Sequence, residues 1–433
     1  MAGISVGVIG VLLALVISIF LIIKKMNPAL AMFAGVFIGA LVGGASLSQM
    51  LDIVILGSRQ VVGINIRIIA GGFLVGALIE TGAAETIARG IVKGLGEKRA
   101  VLAITLSAMI VTGVGVFIPV AMLVVAPVAM SVAYKANISK FAAILAVSGG
   151  GKAGNIMSPN PNTIAAAESF GLPLSEVMLG GIIPGLVALV VTVLLCNMVK
   201  AKHFKVEDKD MEDANTDKLP SFGKAIIAPA VSIGLLMLNP IGDILGIDFI
   251  STATLPMDPF YVLPIGAIIG LIAMGQGRRI TEYAQKGALR MAPVVLMLFG
   301  AGAIGGLITT SVFPDMIENA LHNLGIPTAF LAPLSSAIFA SAAGSHAAGV
   351  IIGAEAFAAT ILAAGVPAMA GAVMLHAGGA FLDIIPHGNI FLATQEGMKC
   401  SMTERIKVIP WETAVGGAMT LTTIVMYLVG FWG

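Results

Sequence analysis

The sequence predicts an all-α polytopic membrane protein of about ten transmembrane spans, built as two inverted five-span repeats that each hold a re-entrant hairpin and a broken helix. Three observations carry that expectation: a composition too apolar for water, a one-sided distribution of basic residues, and an internal repetition of unlike motifs. Of 433 residues, 58% are hydrophobic and 11% charged, against roughly 25% charged in a typical soluble domain. The apolar mass is mostly aliphatic, and 53 glycines supply small surfaces on which membrane helices can approach closely. A net charge of +1 leaves no basic excess for nucleic acid. Cys196 and Cys400 stand alone, without metal-ligand spacing, and read as apolar fillers.

The first apolar run, 4–23, has no basic residue before it and Lys24 and Lys25 directly after it. That is the reverse of a secretory signal, so it reads as the first span. Uninterrupted runs at 28–44, 66–82, 176–199, 223–241, 259–274, 291–311 and 412–432 read as further spans. The regions 139–170 and 367–397 are broken by Gly, Pro and Asn and read as interrupted crossings, while 99–133 and 329–363 read as paired short helices around a Gly-rich point. With the N-terminus outside, every Lys and Arg except Arg59, Arg67 and Lys152 falls on the cytoplasmic side, Arg405 among them. Hydrophobicity alone did not impose that asymmetry. The polar stretch 201–222 reads as a cytoplasmic linker joining a first repeat, 1–200, to a second, 223–433.

A shift of 228–231 residues brings Asn27-Pro28, Gly35 and Gly39 onto Asp258-Pro259, Gly266 and Gly270. The same shift aligns Gly76 and Thr81 with Gly305 and Thr310, Gly115 with Gly344, and Asn155 and Glu168 with Asp383 and Glu396. Each copy holds an odd number of crossings, so the second enters the bilayer upside down. Secondary transporters share this plan, with the binding site near the midplane where broken helices of the two halves meet. Hairpin tips are then expected at Thr112 to Gly115 and, from the opposite side, at Ser341 to His346.

The stretch Ser148 to Thr163 reads SGGGKAGNIMSPNPNT, a composition that predicts unwinding and a polar cavity within the membrane. Asn162 and Thr163 open a helix there whose positive dipole end favours an anion. Lys152 is the basic residue assigned to the bilayer interior, where it needs either a substrate carboxylate or an internal acid such as Asp383. Lys152, Asn155, Ser158, Asn160, Asn162 and Thr163 form the first candidate set for anion binding. In the second broken helix, HAGGAFLDIIPHGN, Asp383 stands where the first copy has Asn155. Asp383 with His376 and His387 makes a candidate proton relay, although His387 also suits a turn after Pro386 and His376 a packing position. Ser345, His346 and Asn389 add polar groups at the outer tip, and Glu355 further along is another proton-coupling candidate. Glu168 and Glu396 read as solvated helix-end carboxylates. No nucleotide-binding, metal-ligand or nucleophile motif stands out, so no cofactor or metal is expected, and a membrane-embedded enzyme or a channel is the weaker reading. Sodium is an alternative coupling ion, because unwound carbonyls and Asn side chains suit it.

At SGGGKAGNIMSPNPNTIAAAE and HAGGAFLDIIPHGN the sequence resembles the gluconate permease family, GntP. More distantly, GG-x-x-G-x-x-x-S-P-N resembles the broken-helix motif of dicarboxylate and citrate symporters in the larger ion-transporter superfamily. The resemblance implies proton-coupled symport of gluconate or a related hydroxycarboxylate across the inner membrane. It also implies a homodimer in which hairpins and broken helices move as an elevator against a scaffold. Many gluconate-type members carry a histidine in the first-half loop where this chain has Lys152, so a sodium-coupled, citrate-like carboxylate stands as the alternative.

Overall fold

The computed structural model describes residues 6–201, 204–207, 219–323, 325–386 and 388–432. Most of the 201–222 linker and His387 therefore lie outside the described residues. The first half runs α1 (Val8–Ile23), α2 (Pro28–Val42), α3 (Leu47–Gln60), α4 (Val62–Glu80), α5 (Ala83–Leu95), α6 (Ala100–Gly113), α7 (Ile118–Lys135), α8 (Lys140–Asn155), α9 (Pro161–Ser169), α10 (Leu174–Gly180) and α11 (Ile182–Val199). The second runs α12 (Phe222–Ala225), α13 (Ile227–Leu245), α14 (Pro259–Ala273), α15 (Ile280–Thr309), α16 (Phe313–Asn323), α17 (Leu331–Ala343), α18 (His346–Ala363), α19 (Ala368–Gly379), α20 (Asn389–Gly397) and α21 (Met402–Leu428).

Sequence signals that recur between the halves produce recurring local structure. Asn27 caps α2 by accepting from the Ala29 amide with Pro28 at the first helical position, and Asp258 caps α14 through Phe260 with Pro259 in the same place. Gly35 and Gly39 of α2 then lie directly on Ala14 and Ser18 of α1, as Gly266 and Gly270 of α14 lie on Ala228 and Ser232 of α13. A methyl group at any of these glycines would overlap the neighbouring helix. Such backbone-to-backbone approach supplies dispersion contact where lipid removes most of the hydrophobic driving force. The next helices cross by the same means: Gly57 meets Gly302, and Gly72 meets Gly287.

The helix pairs reverse at single glycines. Gly115 has φ +102° between α6 and α7, and Gly344 has φ +60° between α17 and α18, a region where a Cβ would be strained. α6 packs on α8, and α17 on α19. The halves also exchange partners, with α9 on α18 and α20 on α7. One group of helices thus comprises α1–α4 with α13–α15, and a second gathers the helix pairs and broken helices with α11 and α21.

Six helical stretches among the described residues are long and apolar enough to cross a membrane: Val62–Glu80, Ile118–Lys135, Leu174–Val199, Phe222–Leu245, Gly277–Thr309 and His346–Ala363. The runs expected as spans at 4–23, 28–44 and 259–274 form helices of 16, 15 and 15 residues, shorter than the about 20 residues a perpendicular crossing needs. Capping explains part of the shortfall, since Asn27 and Asp258 fix where α2 and α14 begin. Conversely, α15 extends over 30 residues, starting well before the apolar run that signalled it.

The first broken helix departs from expectation in an instructive way. Unwinding was expected across 148–163, yet α8 stays helical through Asn155, and the irregular stretch is confined to Ile156–Asn160. Gly150 and Gly154 are helical residues that let α8 press against Thr105 and Met109 of α6. Their lack of a side chain serves packing, not unwinding, and Lys152 accordingly projects from a helix instead of a loop.

Candidate functional site

Every candidate in the first broken helix, Lys152, Asn155, Ser158, Asn160, Asn162 and Thr163, is fully buried, as are His376 and Asp383 in the second. Lys152 is positioned by the last turn of α8, and Asp383 by the irregular segment between α19 and α20. Lys152 Nζ donates to Asp383 Oδ1 at 2.7 Å, to the Ala380 carbonyl at 2.6 Å and to the Glu412 carbonyl at 3.5 Å. An ammonium has three donors, so all three are matched in this state. Of the partners open at the sequence level, the internal acid is the one the geometry provides.

The second carboxylate oxygen, Asp383 Oδ2, has no hydrogen-bond partner. It faces His346 Nδ1 at 3.7 Å, which is equally unpartnered. His346 Nε2 lies 2.9 Å from the His376 carbonyl. A carbonyl can only accept, so His346 Nε2 carries a proton and donates it, while Nδ1 is turned toward Asp383. The His346 and His376 rings stand 5.1 Å apart. His376 Nε2 in turn contacts Asn155 Nδ2 at 3.1 Å; with the amide donating, the His376 proton is on Nδ1. With Nε2 accepting, the His376 imidazole is neutral, and the repeat-equivalent pair Asn155 and Asp383 lies at the two ends of the network.

Asn160 organises the irregular turn of the first half. Its Nδ2 donates to the Asn155 carbonyl at 2.5 Å and to Ser158 Oγ at 2.6 Å, while Oδ1 accepts from the amides of Asn162 at 2.8 Å and Thr163 at 3.3 Å. The positive end of α9, expected to greet an anion, is thus partly occupied by its own N-cap. What remains open beside it are both side-chain atoms of Asn162, Thr163 Oγ1 and Asn155 Oδ1, all buried and unpartnered. In a membrane such groups cost free energy unless a ligand or water satisfies them. At the second tip, Asn389 Nδ2 reaches Ser345 Oγ at 3.4 Å and its backbone amide bonds the Gly344 carbonyl at 3.0 Å, leaving Asn389 Oδ1 free.

Two expectations are corrected. Glu355 does not join His346: nine positions along α18 place it about 14 Å away, where its carboxylate accepts from Ser169 Oγ at 3.1 Å in a separate cavity of about 240 Å³ lined by Gln60, Glu168 and Thr309. Glu168 is not simply solvated, since Arg67 bridges it at 3.0 Å and Asp258 at 2.6 Å. Glu396 is exposed, as expected.

Sequence reasoning missed Arg405, Glu412 and Thr394. Arg405, assigned to the cytoplasmic surface, is wholly buried. Its guanidinium holds Glu412 in a fork at 2.6 and 2.9 Å, donates to Thr394 Oγ1 at 2.7 Å, and lies 4.7 Å over the Phe391 ring. The Glu412 carbonyl is one of the three acceptors of Lys152, so this pair abuts the site. The available signal was the i, i+7 spacing, which puts Arg405 and Glu412 on one face of a helix two turns apart. α21 starts at Met402, a decade of residues before the apolar run at 412–432.

These features define a class, a polytopic helical membrane transporter. The crystal structure of the Alcanivorax borkumensis YdaH transporter has the same kind of fold, with a TM-score of 0.62 at 15% identity, covering 89% of this chain and 90% of that one. Residues 6–429 match the family described as GntP family permease, and the chain belongs to it. Among its relatives, an uncharacterized transporter of Haemophilus influenzae is 44% identical, covering 98% of both chains. The gluconate permease of Pseudomonas aeruginosa is 23% identical, covering 76% of this chain and 77% of its own. The D-serine transporter DsdX of Escherichia coli is 24% identical over 77% of this chain and 78% of its own. The protein is a multi-pass membrane permease.

Proposed function

We propose that the protein is a secondary active transporter that carries a small hydroxylated monocarboxylate together with one proton. In this reading the chain has ten crossings in two inverted repeats, with both termini outside, and works as a homodimer. The helix pairs and broken helices form the moving body, and α1–α4 with α13–α15 the scaffold. Relatives named for gluconate and for D-serine have ligands that share a carboxylate and a hydroxyl group, which supports this substrate class.

The observation that carries the reading is the buried contact between Lys152 and Asp383. Empty, the site is neutral as ammonium and carboxylate. An incoming anion can take the ammonium only if Asp383 gives up its charge; otherwise one uncompensated negative charge would be buried, at high cost. With His346 protonated on Nε2 alone, a proton on Asp383 Oδ2 faces an accepting Nδ1 across 3.7 Å, a gap that a small side-chain shift closes. Lys152 then binds the substrate carboxylate, with Asn155, Ser158, Asn160, Asn162, Thr163, Ser345 and Asn389 serving hydroxyl groups. Loaded with anion and proton, the site is neutral again and can traverse the membrane. Coupling follows from charge balance.

Asp383→Asn, permanently uncharged, is expected to bind substrate and exchange it but not to accumulate it against a gradient in proteoliposomes. Normal concentrative uptake by that variant would overturn the proposal. Sodium coupling is separated by imposing Na⁺ and H⁺ gradients singly: uptake driven by Na⁺ alone would replace the proton in this scheme.

A further inference from the structure

Remote from the Lys152 and Asp383 network, a cavity of about 420 Å³ opens where the start of α6 meets the ends of α7 and α11. Lys98, Arg99 and Lys200 line it together with Asn197. Among the described residues none of these three cations has an ion-pair partner. Three like charges around one concavity repel unless an anion joins them. The cavity is also bounded by Ala100, Val101 and Leu102, the first turn of the 14-residue helix α6, which has no side-chain cap. The positive end of that helix's dipole adds to the potential.

The neighbouring surface indicates the kind of anion. The walls contain Val101, Leu102 and Val193 beside the three cations, so the cavity offers apolar surface as well as positive charge. On α11, Leu186, Val190, Leu194 and Met198 form an outward apolar stripe, 46%, 55%, 59% and 61% exposed, which leads along the helix to Asn197 and Lys200 at the cavity mouth. A soluble anion would use the cations and leave the stripe bare. A lipid uses both, with its acyl chains along α11 and its phosphate at the basic rim, and basic pockets between helices at a membrane face hold headgroups in this way.

We propose that this cavity binds the phosphate headgroup of an anionic phospholipid. The test uses purified, delipidated full-length protein titrated with phosphatidylglycerol, with phosphatidylcholine of the same chains, and with inorganic phosphate, bound lipid being counted by native mass spectrometry. Phosphatidylglycerol is expected to bind saturably and about tenfold more tightly than phosphatidylcholine, a preference that weakens as salt is raised. Lys98→Gln/Arg99→Gln/Lys200→Gln should abolish the preference while melting normally, and Lys24→Gln/Lys25→Gln, outside the cavity, should retain it. Equal binding of the two lipids, an unchanged preference in the triple variant, or equal loss in the control pair would overturn the proposal. Competition by inorganic phosphate as effective as that of the lipid would overturn it too, by making this a site for a free anion. Should the triple variant melt early, the salt series on the unmodified protein decides: a preference insensitive to salt rejects the headgroup contact.

Discussion

Lys152 and Asp383, 231 positions apart in the chain, meet at 2.7 Å with both side chains sealed from solvent. Removing one partner strands a buried charge, which typically costs 3–5 kcal/mol, while replacing both with apolar groups is often nearly neutral. Lys152→Met alone is expected to lower stability by about 3 kcal/mol or more, and Lys152→Met/Asp383→Leu to recover most of it. Thermal unfolding in detergent reads the difference. Transport should be lost in both, so stability and activity separate.

Arg405 and Glu412 follow the same logic with a stricter geometry, because the fork is bidentate and a third donor goes to Thr394. Arg405→Lys keeps the charge but not the planar fork. It is expected to destabilise the protein by about 1–3 kcal/mol and to weaken substrate affinity through the Glu412 carbonyl that steadies Lys152. Melting and equilibrium binding assays on the one variant check both effects.

Asn160→Ala removes an N-cap whose loss usually costs about 1 kcal/mol. Because the same side chain also ties the Asn155 carbonyl to Ser158, affinity for the carboxylate substrate should fall further than stability does. Asn160→Asp keeps the capping oxygen but sets a buried carboxylate against the Asn155 carbonyl, so it should lose stability as well as binding. A binding isotherm beside a melting curve for each variant distinguishes the two roles.

Arg67 joins the two helix groups by contacting Glu168 of α9 and Asp258, the cap of α14. The three side chains are partly exposed, so the contact is worth at most about 1 kcal/mol. Arg67→Gln is therefore expected to shift melting little, but to change the turnover rate if α9 moves relative to α14 in each cycle. Initial uptake rates at saturating substrate, compared at low and high salt, test this.

Much of the fold was legible in the sequence because membrane helices are written in long apolar runs and Asn-Pro or Asp-Pro starts. The site was legible in part. Asn155, Asp383, His346 and His376 stood out as polar residues where hydrocarbon makes them costly, and these four lie in one buried network. Two things were hidden. A glycine run carries the same composition whether it unwinds a helix or lets one pack closely, so the length of α8 could not be read from Gly149 to Gly154. Arg405 looked like a surface cation because its cover comes from the preceding helix, and how α20 folds back over α21 to bring Phe391 and Thr394 onto the guanidinium is not written in the local pattern.

The glycine crossings of α3 and α4 with α15 have a particular reciprocity. Displacing the contact of Gly57 with Gly302 by 230 residues turns it into the contact of Gly287 with Gly72. A contact that survives exchange of its two sides is isologous, the kind a two-fold axis generates between identical subunits. Here both sides lie in one chain, so the two halves meet through a self-complementary glycine surface of the kind that two identical subunits share.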